Sequence, residues 1–159
     1  SETPKKAGSK SWDSSLPRIA TLAWLKDKET EKRLLVVNTH LLNFEWRSLN
    51  DYTQQVSAIG QAIAAHDGPV ILAGDLNTRN AARQAVVDRM VAAHGLKPVF
   101  GKALAGRTKA IIGGDLALDH IYYRGLRIVE DGGVGHESDA AISDHNRLSV
   151  GFTVDSQRD

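Results

Sequence analysis

The feature that most constrains the fold is the apolar run Val70-Ile71-Leu72-Ala73, which is followed at once by Gly74-Asp75-Leu76-Asn77. A short aliphatic run that ends at a glycine is typical of a buried strand, so the polar residues after it lie at the carboxyl end of that strand. Side chains alternate along an extended backbone, and we therefore expect Asp75 and Asn77 to point to the same side. They either serve a site at this edge or form an Asx-type turn that caps the next helix.

Helical periodicity flanks this strand on both sides. Apolar residues at spacings of three and four predict an amphipathic helix over 49–66, with Asn50 or Asp51 as its cap. A second helix is predicted over 81–94, with Gly95 as its stop. The expected buried positions are Tyr52, Val56, Ile59 and Ile63 in the first helix and Val86, Val87, Met90 and Val91 in the second.

The other apolar runs predict strands. Those at 18–25 and 33–38 are expected to pair antiparallel across a charged turn at 26–32. Further strands are predicted at 96–100, 116–124, 126–129 and 146–154, with loops at 101–115 and 131–142. The order β-β-α-β-α-β-β-β indicates an α/β (α+β) fold whose mixed, largely antiparallel sheet carries its helices on one face.

Length and composition favour one domain. The 159 residues, 42% of them hydrophobic, are enough for a sizeable core. We expect an extended polar arm over 1–17, the folded portion over 18–154 and a polar tail over 155–159. No apolar run approaches the roughly 18 residues that a membrane span needs, so a soluble protein without a membrane span is expected.

Charge and cysteine content exclude several function classes. Lys and Arg number 20 against 19 Asp and Glu, which gives a net charge of +1 and no global attraction to nucleic acid or anionic membranes. A polyanionic substrate must then be held locally. The chain has no cysteine, which rules out disulfides, thiolate nucleophiles and thiolate metal sites. That composition suits cytosol and periplasm alike, so the compartment stays open, and the cytoplasm is our working expectation.

Four polar clusters stand where predicted strands begin or end. They are Asn38-Thr39-His40, Asp75 with Asn77, Asp119-His120, and Ser143-Asp144-His145-Asn146. A single histidine beside a strand is more often a hydrogen-bonded structural residue, so each cluster alone is weak. Together they supply the parts for metal-assisted hydrolysis of a phosphodiester: hard oxygen ligands, a histidine acid or base, a carboxylate to fix its tautomer, and uncharged donors.

In their order and spacing, these clusters resemble the signature blocks of the endonuclease/exonuclease/phosphatase superfamily. That superfamily includes pancreatic-type deoxyribonucleases, AP endonucleases, sphingomyelinases, inositol-polyphosphate phosphatases and deadenylases. The blocks cover most of residues 33–154, and the segment from 43 to 75 resembles a poorly characterised bacterial branch. The resemblance implies the C-terminal half, or most, of a four-layer α/β/β/α sandwich, and hydrolysis of a phosphodiester with Mg²⁺ or Mn²⁺.

Roles for three residues follow from this resemblance. His40 is expected to donate to a non-bridging phosphate oxygen in the transition state. Asp75 is expected to orient or deprotonate the attacking water, and Asn77 to bind the phosphate or the metal. These roles supply an electrostatic clamp and an in-line water, which is what the chemistry requires.

The last two blocks imply the rest of the site. Asp119 is expected to hold His145 in the correct tautomer, and His145 to act as acid or base or as electrostatic partner of the scissile phosphate. Asp144 is expected to ligate the divalent ion directly or through water. Because neighbouring strand positions point to opposite sides, structural roles are expected for His120, Asn38 and Asn146.

The chain departs from the family pattern at its beginning. The family domain usually has about 250 residues, the upper range for one sandwich domain. Its N-terminal Asn and metal-binding Glu have no counterpart here, and Glu2 and Glu45 are not expected to replace that Glu. We therefore expect a fragment, a second chain that completes the sandwich, or a shortened form that self-associates. Activity of this chain alone stays open.

The substrate is less constrained than the reaction. Nucleic acid is the leading expectation, with Arg107 and Trp46 as substrate-binding residues, and a phospholipid headgroup or small phosphoester is the alternative. Trp46 and Phe44 equally suit loop anchors packed on the core. A rim of cations is also expected, although each suits plain surface charge: Arg47, Arg79, Arg83, Arg107, Lys109 and Arg124.

A non-catalytic binding module is the competing class. Absence of the N-terminal Glu block favours that interpretation. Retention of all six polar residues of the blocks favours an enzyme, because decay would affect these positions first.

Overall fold

The computed structural model describes residues 18–43, 49–101, 109–111, 114–135 and 143–154. Within these ranges the chain forms two helices and nine strands. In chain order they are β1 (Ala20–Lys26), β2 (Arg33–His40), α1 (Leu49–Ala64), β3 (Val70–Asp75), α2 (Ala81–Ala93), β4 (Lys97–Pro98), β5 (Lys109–Ile111), β6 (Gly114–Leu116), β7 (Asp119–Arg124), β8 (Leu126–Gly135) and β9 (Arg147–Val154).

A five-stranded mixed sheet in the order β1-β2-β3-β7-β4 organises the fold. β1 and β2 pair antiparallel, as the sequence predicts. β2 and β3 run parallel because α1 forms the crossover between them, which returns the chain to the same edge. β7 then pairs antiparallel with β3. The carboxyl ends of β2 and β3 and the start of β7 therefore meet at one edge of the sheet.

One face of this sheet and the two helices enclose the core. Leu35, Val37, Val70 and Leu72 alternate along β2 and β3, and all four are fully buried. The predicted helical stripes pack against them, including Tyr52, Ile63 and Val87, while Met90 is partly buried at the margin. Removing a Val or Leu side chain from water contributes about 1.5–3 kcal/mol, so this face supplies most of the apolar stabilisation.

The opposite face of the sheet carries the alternate residues, among them Val36, Ile71 and Ile121. They are half-buried, and none belongs to the core on the helical side. β8 and β9 form a separate antiparallel pair that adjoins this sheet through the Tyr123 and Phe152 rings, whose centroids lie 5.1 Å apart. The two faces therefore differ: one is closed by helices and the other is only partly covered by described residues.

Two loop predictions are wrong in part. The expected loop at 101–115 contains β5 and the start of β6, which pair with each other, and the expected strand at 116–124 is interrupted before β7. The first part of the expected loop at 131–142 is strand, because β8 continues to Gly135. It does so past register shifts between Ile128 and Glu130 and between Glu130 and Gly133. A bulged strand of this kind is not predicted from a glycine-rich sequence, because glycine is depleted in regular strands.

The helix ends differ from the sequence prediction at the first helix and agree at the second. α1 begins at Leu49, so Asn50 and Asp51 lie inside its first turn and do not cap it. α2 is capped by Asn80, whose Oδ1 accepts from the Arg83 N–H at 3.0 Å. It ends at Ala93 with His94 as its C-terminal cap, and Gly95 follows with a φ of 65°, the left-handed conformation expected of a helix stop.

The α+β class expected from the sequence is confirmed, with mixed strands and helices on one face of the main sheet. Among the described residues, neither helix has the length and apolar character required to cross a bilayer. The expected arm over 1–17 and tail over 155–159 lie outside the described residues.

Candidate active site

Three polar residues form a row across the carboxyl ends of β2 and β3 and the start of β7. His40 lies in register with Asp75, and Asp75 lies in register with Asp119. Adjacent strands are about 4.8 Å apart, so these side chains are direct neighbours. Side chains alternate between the two faces along each strand, and the buried Leu35, Val70 and Tyr122 point toward the helices. The three polar residues lie an odd number of positions from these on their strands, so they point to the opposite face.

His145 joins this row from the segment before β9. Its Nδ1 lies 2.6 Å from Asp119 Oδ2, and its backbone N–H donates to Ser143 Oγ at 3.1 Å. A carboxylate accepts the Nδ1 proton, which leaves Nε2 as the second functional nitrogen of the imidazole. The predicted pairing of Asp119 with His145 is therefore present in the structure.

His40 and Asp75 form the second contact of the row, with His40 Nε2 3.4 Å from Asp75 Oδ2. Burial lowers the pKa of His40 from its ordinary value, an effect that the carboxylate of Asp75 opposes and the cation of Arg18 reinforces. The imidazole is thus favoured in its neutral form, which suits proton exchange near neutral pH.

The pKa of Asp75 moves in the opposite direction. Burial raises it, the neighbouring carboxylate of Asp119 raises it further, and the Asn77 N–H, which donates to Asp75 Oδ1 at 2.8 Å, lowers it. A histidine and a carboxyl whose pKa values are both shifted, mainly by burial, and which lie side by side at a sheet edge are candidates for a functional site.

Asp75, Asp119 and His145 also form a candidate metal centre. One ligand atom from each lies within 4.8 Å of the others. Two carboxylates and an imidazole suit a hard or borderline divalent ion such as Mg²⁺ or Mn²⁺, so the donor set fits the expected metal. Asp144, the ligand expected from the sequence, lies beside this cluster: its Oδ1 is 4.0 Å from His145 Nε2 and its side chain is 76% exposed.

Asn77 is held differently from the sequence prediction. β3 ends at Asp75 and Asn77 has a φ of 49°, so strand alternation no longer applies and the expectation of a shared direction is wrong. Its side chain is fully buried, and Nδ2 donates to the Leu41 carbonyl at 2.9 Å. Asp75 and Asn77 form the Asx-type turn of the alternative interpretation, although Asn80 caps the helix. A ligand role for Asn77 stays a prediction.

Two of the expected rim cations lie elsewhere. Arg83 is buried under the site, and Arg124 binds backbone carbonyls at the far end of the sheet, where it pairs in register with Val70. Arg79 does adjoin the site, because its Nε lies 3.3 Å from Asn77 Oδ1. Trp46 and Arg107 lie outside the described residues, as do Arg47 and Glu45, and the Lys109 side chain is not described.

The structure adds residues that the sequence prediction missed. His120 is buried, as expected of a structural residue, but its Nε2 forms a 2.7 Å hydrogen bond with Thr78 Oγ1, which donates to the Ala117 carbonyl. Arg83 and Tyr52 lie beneath the loops that carry His40 and Asp75. One signal was available: Arg83 precedes Val86 and Val87 by three and four positions, which places it on the buried stripe of α2.

Comparison with known proteins agrees with this geometry. The model of the Endonuclease/Exonuclease/phosphatase family matches residues 18–145. A UPF0294 protein of Vibrio vulnificus is 42% identical over 122 residues, which cover 76% of this chain and 40% of that protein. A UPF0294 protein of Vibrio cholerae is 38% identical over 142 residues, covering 87% and 46%. The matched region thus spans less than half the length of these curated relatives.

Solved structures show the same fold. An endonuclease/exonuclease/phosphatase from Beutenbergia cavernae has a TM-score of 0.73 at 18% identity, covering 96% of this chain and 44% of that chain. The mannosyl-6-phosphatase of Bacteroides thetaiotaomicron has a TM-score of 0.63 at 22% identity, covering 91% and 60%. TDP2 of D. rerio in complex with a single-strand DNA product also has a TM-score of 0.63 at 22% identity, covering 86% and 62%. The match over residues 18–145 and the shared sandwich fold lead to one assignment: the chain belongs to the Endonuclease/Exonuclease/phosphatase family.

Proposed function

We propose that this chain carries one wall of the active site of a divalent-metal-dependent phosphodiesterase, with a nuclease as the specific activity. One observation carries this proposal: the row of His40, Asp75 and Asp119 at one sheet edge, closed by the 2.6 Å contact of Asp119 with His145. A single structural histidine would not require two carboxylates and a second histidine on the same side.

The Asp119–His145 pair acts as the proton-handling unit of the proposed reaction. With its Nδ1 proton donated to Asp119, His145 presents Nε2 to the phosphate and is stabilised when protonated by the adjacent carboxylate. A positioned acid or base of this kind contributes about 10²- to 10⁴-fold in rate.

Asp75 and His40 act on the water and the phosphate. The raised pKa of Asp75 suits a group that orients and deprotonates the attacking water. His40, half-exposed beside it, donates to a non-bridging oxygen where negative charge develops. Asp144 is the proposed ligand of a divalent ion that would polarise the phosphate from beside the row, and Asn77 retains its proposed contact with phosphate or metal.

A phosphodiester in nucleic acid is the proposed substrate. The solved relatives include a protein in complex with a single-strand DNA product and a mannosyl-6-phosphatase. Arg107 and Trp46 are the proposed substrate-binding residues, the first for a phosphate and the second for a base. Arg79, which adjoins Asn77, is placed to extend this contact.

We further propose that a second chain, or the rest of a longer protein, covers the site-bearing face of the sheet. Two observations support this. The face is apolar and half-buried around Val36, Ile71 and Ile121, and the matched region spans only 40–46% of the curated relatives. A covering layer would also supply the acidic ligand that the family resemblance implies and this chain lacks.

The test is metal-dependent cleavage of bis-p-nitrophenyl phosphate and plasmid DNA by the wild type and by His145→Ala. We expect turnover with Mg²⁺ or Mn²⁺, none with chelator, and a loss of about 10²- to 10⁴-fold in the variant. His66→Ala is the matched control, because the His66 imidazole hydrogen-bonds to the Arg33 and Pro69 carbonyls at the other end of the sheet.

Equal residual turnover in His145→Ala and the wild type would contradict the proposed hydrolase activity and favour a non-catalytic binding module. Hydrolysis of p-nitrophenyl phosphate without cleavage of the diester would support the proposed active site but show that the activity is that of a phosphomonoesterase and not of a nuclease.

A further inference from the structure

A buried cation lies directly beneath the two loops that carry the row. Arg83 of α2 is 2% exposed, and its Nη1 lies 2.7 Å from the Leu42 carbonyl, 3.3 Å from the Asn77 carbonyl and 3.4 Å from the Asn43 carbonyl. Leu42 follows His40 by two residues, and Asn77 follows Asp75 by two residues. One guanidinium therefore contacts the backbone just beyond both strand ends.

Tyr52 of α1 completes this contact from the other helix. The Arg83 guanidinium lies 4.8 Å from the centre of the Tyr52 ring, and the Tyr52 hydroxyl donates to the Leu76 carbonyl at 2.7 Å. Burial raises the pKa of Tyr52, which keeps the phenol neutral and able to donate. Both helices thus reach the Asp75–Asn77 turn through buried polar groups.

Further hydrogen bonds link the two loops to each other. The Leu41 N–H donates to the Asp75 carbonyl at 2.9 Å, and Asn77 Nδ2 donates to the Leu41 carbonyl at the same distance. Gln55 Oε1 accepts from the Leu42 N–H at 3.0 Å. The Leu42 and Asn43 carbonyls accept from Arg83, as does the Asn77 carbonyl, which also accepts from the Arg79 N–H at 2.9 Å. An unsatisfied buried carbonyl costs about 1–3 kcal/mol, so an apolar side chain in place of the guanidinium is expected to loosen these contacts.

We propose that Arg83 is a positioning residue: by holding the loops after β2 and β3 together, it fixes the separation of His40 and Asp75. The proposal rests on the proposed hydrolase activity, for which that separation, 3.4 Å between His40 Nε2 and Asp75 Oδ2, is the working geometry. A displacement of about 1 Å at a catalytic group costs on the order of 10²-fold in rate. Arg83 itself is too deeply buried to touch a substrate.

The chain offers a matched control in Arg124. This guanidinium also binds backbone carbonyls, those of His94, Ile63, His66 and Gly68, but at the sheet edge remote from the row. Arg83→Met and Arg124→Met each remove one carbonyl-binding guanidinium and keep the hydrocarbon stem. Both are expected to lower Tm, whereas only Arg83→Met is expected to disturb the site.

The experiment measures kcat and KM for bis-p-nitrophenyl phosphate with Mn²⁺ in the full chain. We expect Arg83→Met to lower kcat by about 10- to 100-fold with KM changed by less than about threefold, as for an interaction made in the transition state. Arg124→Met is expected to keep kcat within about twofold of the wild type. Arg83→Lys, which restores one donor, is expected to recover part of kcat, and it replaces Arg83→Met if that variant does not fold.

A second readout separates this proposal from the proposed function. Mn²⁺ affinity, measured by electron paramagnetic resonance without substrate, is expected to fall about 10-fold in Arg83→Met and to stay unchanged in Arg124→Met, since ligand orientation sets affinity. If the wild type binds Mn²⁺ without cleaving, the hydrolase proposal fails and this affinity ratio alone decides the role of Arg83. Equal effects of the two variants on kcat and affinity, or a wild type that neither binds nor cleaves, would overturn the positioning role.

Discussion

Asp119 connects the two halves of the site, because it is hydrogen-bonded to His145 at 2.6 Å and lies in register with Asp75. An amide at this position keeps the shape of the side chain but removes the charge that fixes and stabilises the imidazole. We expect Asp119→Asn to lower kcat by about 10²- to 10⁴-fold with little change in Tm. Asp88→Asn is the control, since Asp88 lies on α2 and accepts an exposed hydrogen bond from Gln84. Wild-type turnover in Asp119→Asn would contradict the proton-handling pair.

His120 makes the stability of the chain depend on pH. Burial lowers its pKa from the ordinary value, so the folded state binds fewer protons than the unfolded state. The stability that neutral His120 contributes to the folded state is complete above the pKa of about 6.5 that it has in the unfolded state. This stability is lost as the pH falls from there toward the pKa of His120 in the folded state. We expect the free energy of unfolding to fall by at most about 1.4 kcal/mol per pH unit in this window.

The measurement is urea unfolding between neutral and mildly acidic pH in buffer with chelator. His120→Gln is expected to lose much of this slope. His40→Gln is expected to keep most of it, since His40 is half-exposed and screened. A wild-type curve that is flat below neutral pH would show that His120 titrates alike in both states.

At the level of elements, the row depends on how closely β3 approaches β2 at its carboxyl end. Gly74 has a φ of 136°, and a Cβ there would lie 1.9 Å from the Thr39 carbonyl oxygen. We expect Gly74→Ala to cost more than about 4 kcal/mol in unfolding free energy, because backbone would have to move. Gly95→Ala is the control: its φ is 65° with nothing within 4 Å, so strain of about 1–2 kcal/mol is expected. Comparable losses in denaturant titrations would contradict the close approach.

Secondary structure was predictable wherever one periodicity dominated. The stripe from Tyr52 to Ile63 and the run from Val70 to Ala73 produced α1 and β3 close to the expected bounds. The extension of β8 was not predictable. Gly132 lies so close to the paired strand that a Cβ there would be 2.6 Å from the Ser149 carbonyl oxygen, so the position requires glycine. Such a close approach depends on the partner strand and leaves no local signal.

For the whole molecule, the site-bearing face of the sheet is the surface that a partner layer would cover. Leu25 lies at its edge with 52% exposure, next to the half-buried apolar residues of β2 and β3. Because soluble monomers rarely expose large apolar patches, we expect the isolated chain to self-associate through this face. Light scattering over a concentration series is the measurement.

Leu25→Lys is expected to weaken this association. The control is Leu49→Lys, at a residue that is 45% exposed on α1, which packs on the other face. A compact monomer that melts cooperatively at all concentrations would contradict the need for a covering layer.

The sequence by itself determined the fold class, the family and the identity of the row, because strand periodicity and the four polar clusters are local patterns. His40, Asp75, Asp119 and His145 were all expected at strand ends, and the structure brings all four together. Only the tertiary structure decided that Asn77 turns inward and that Arg83 and Tyr52 lie beneath the site. The physical reason is that these three groups bind backbone atoms exposed by the ends of β2 and β3, and those atoms become neighbours only when the sheet and both helices have packed.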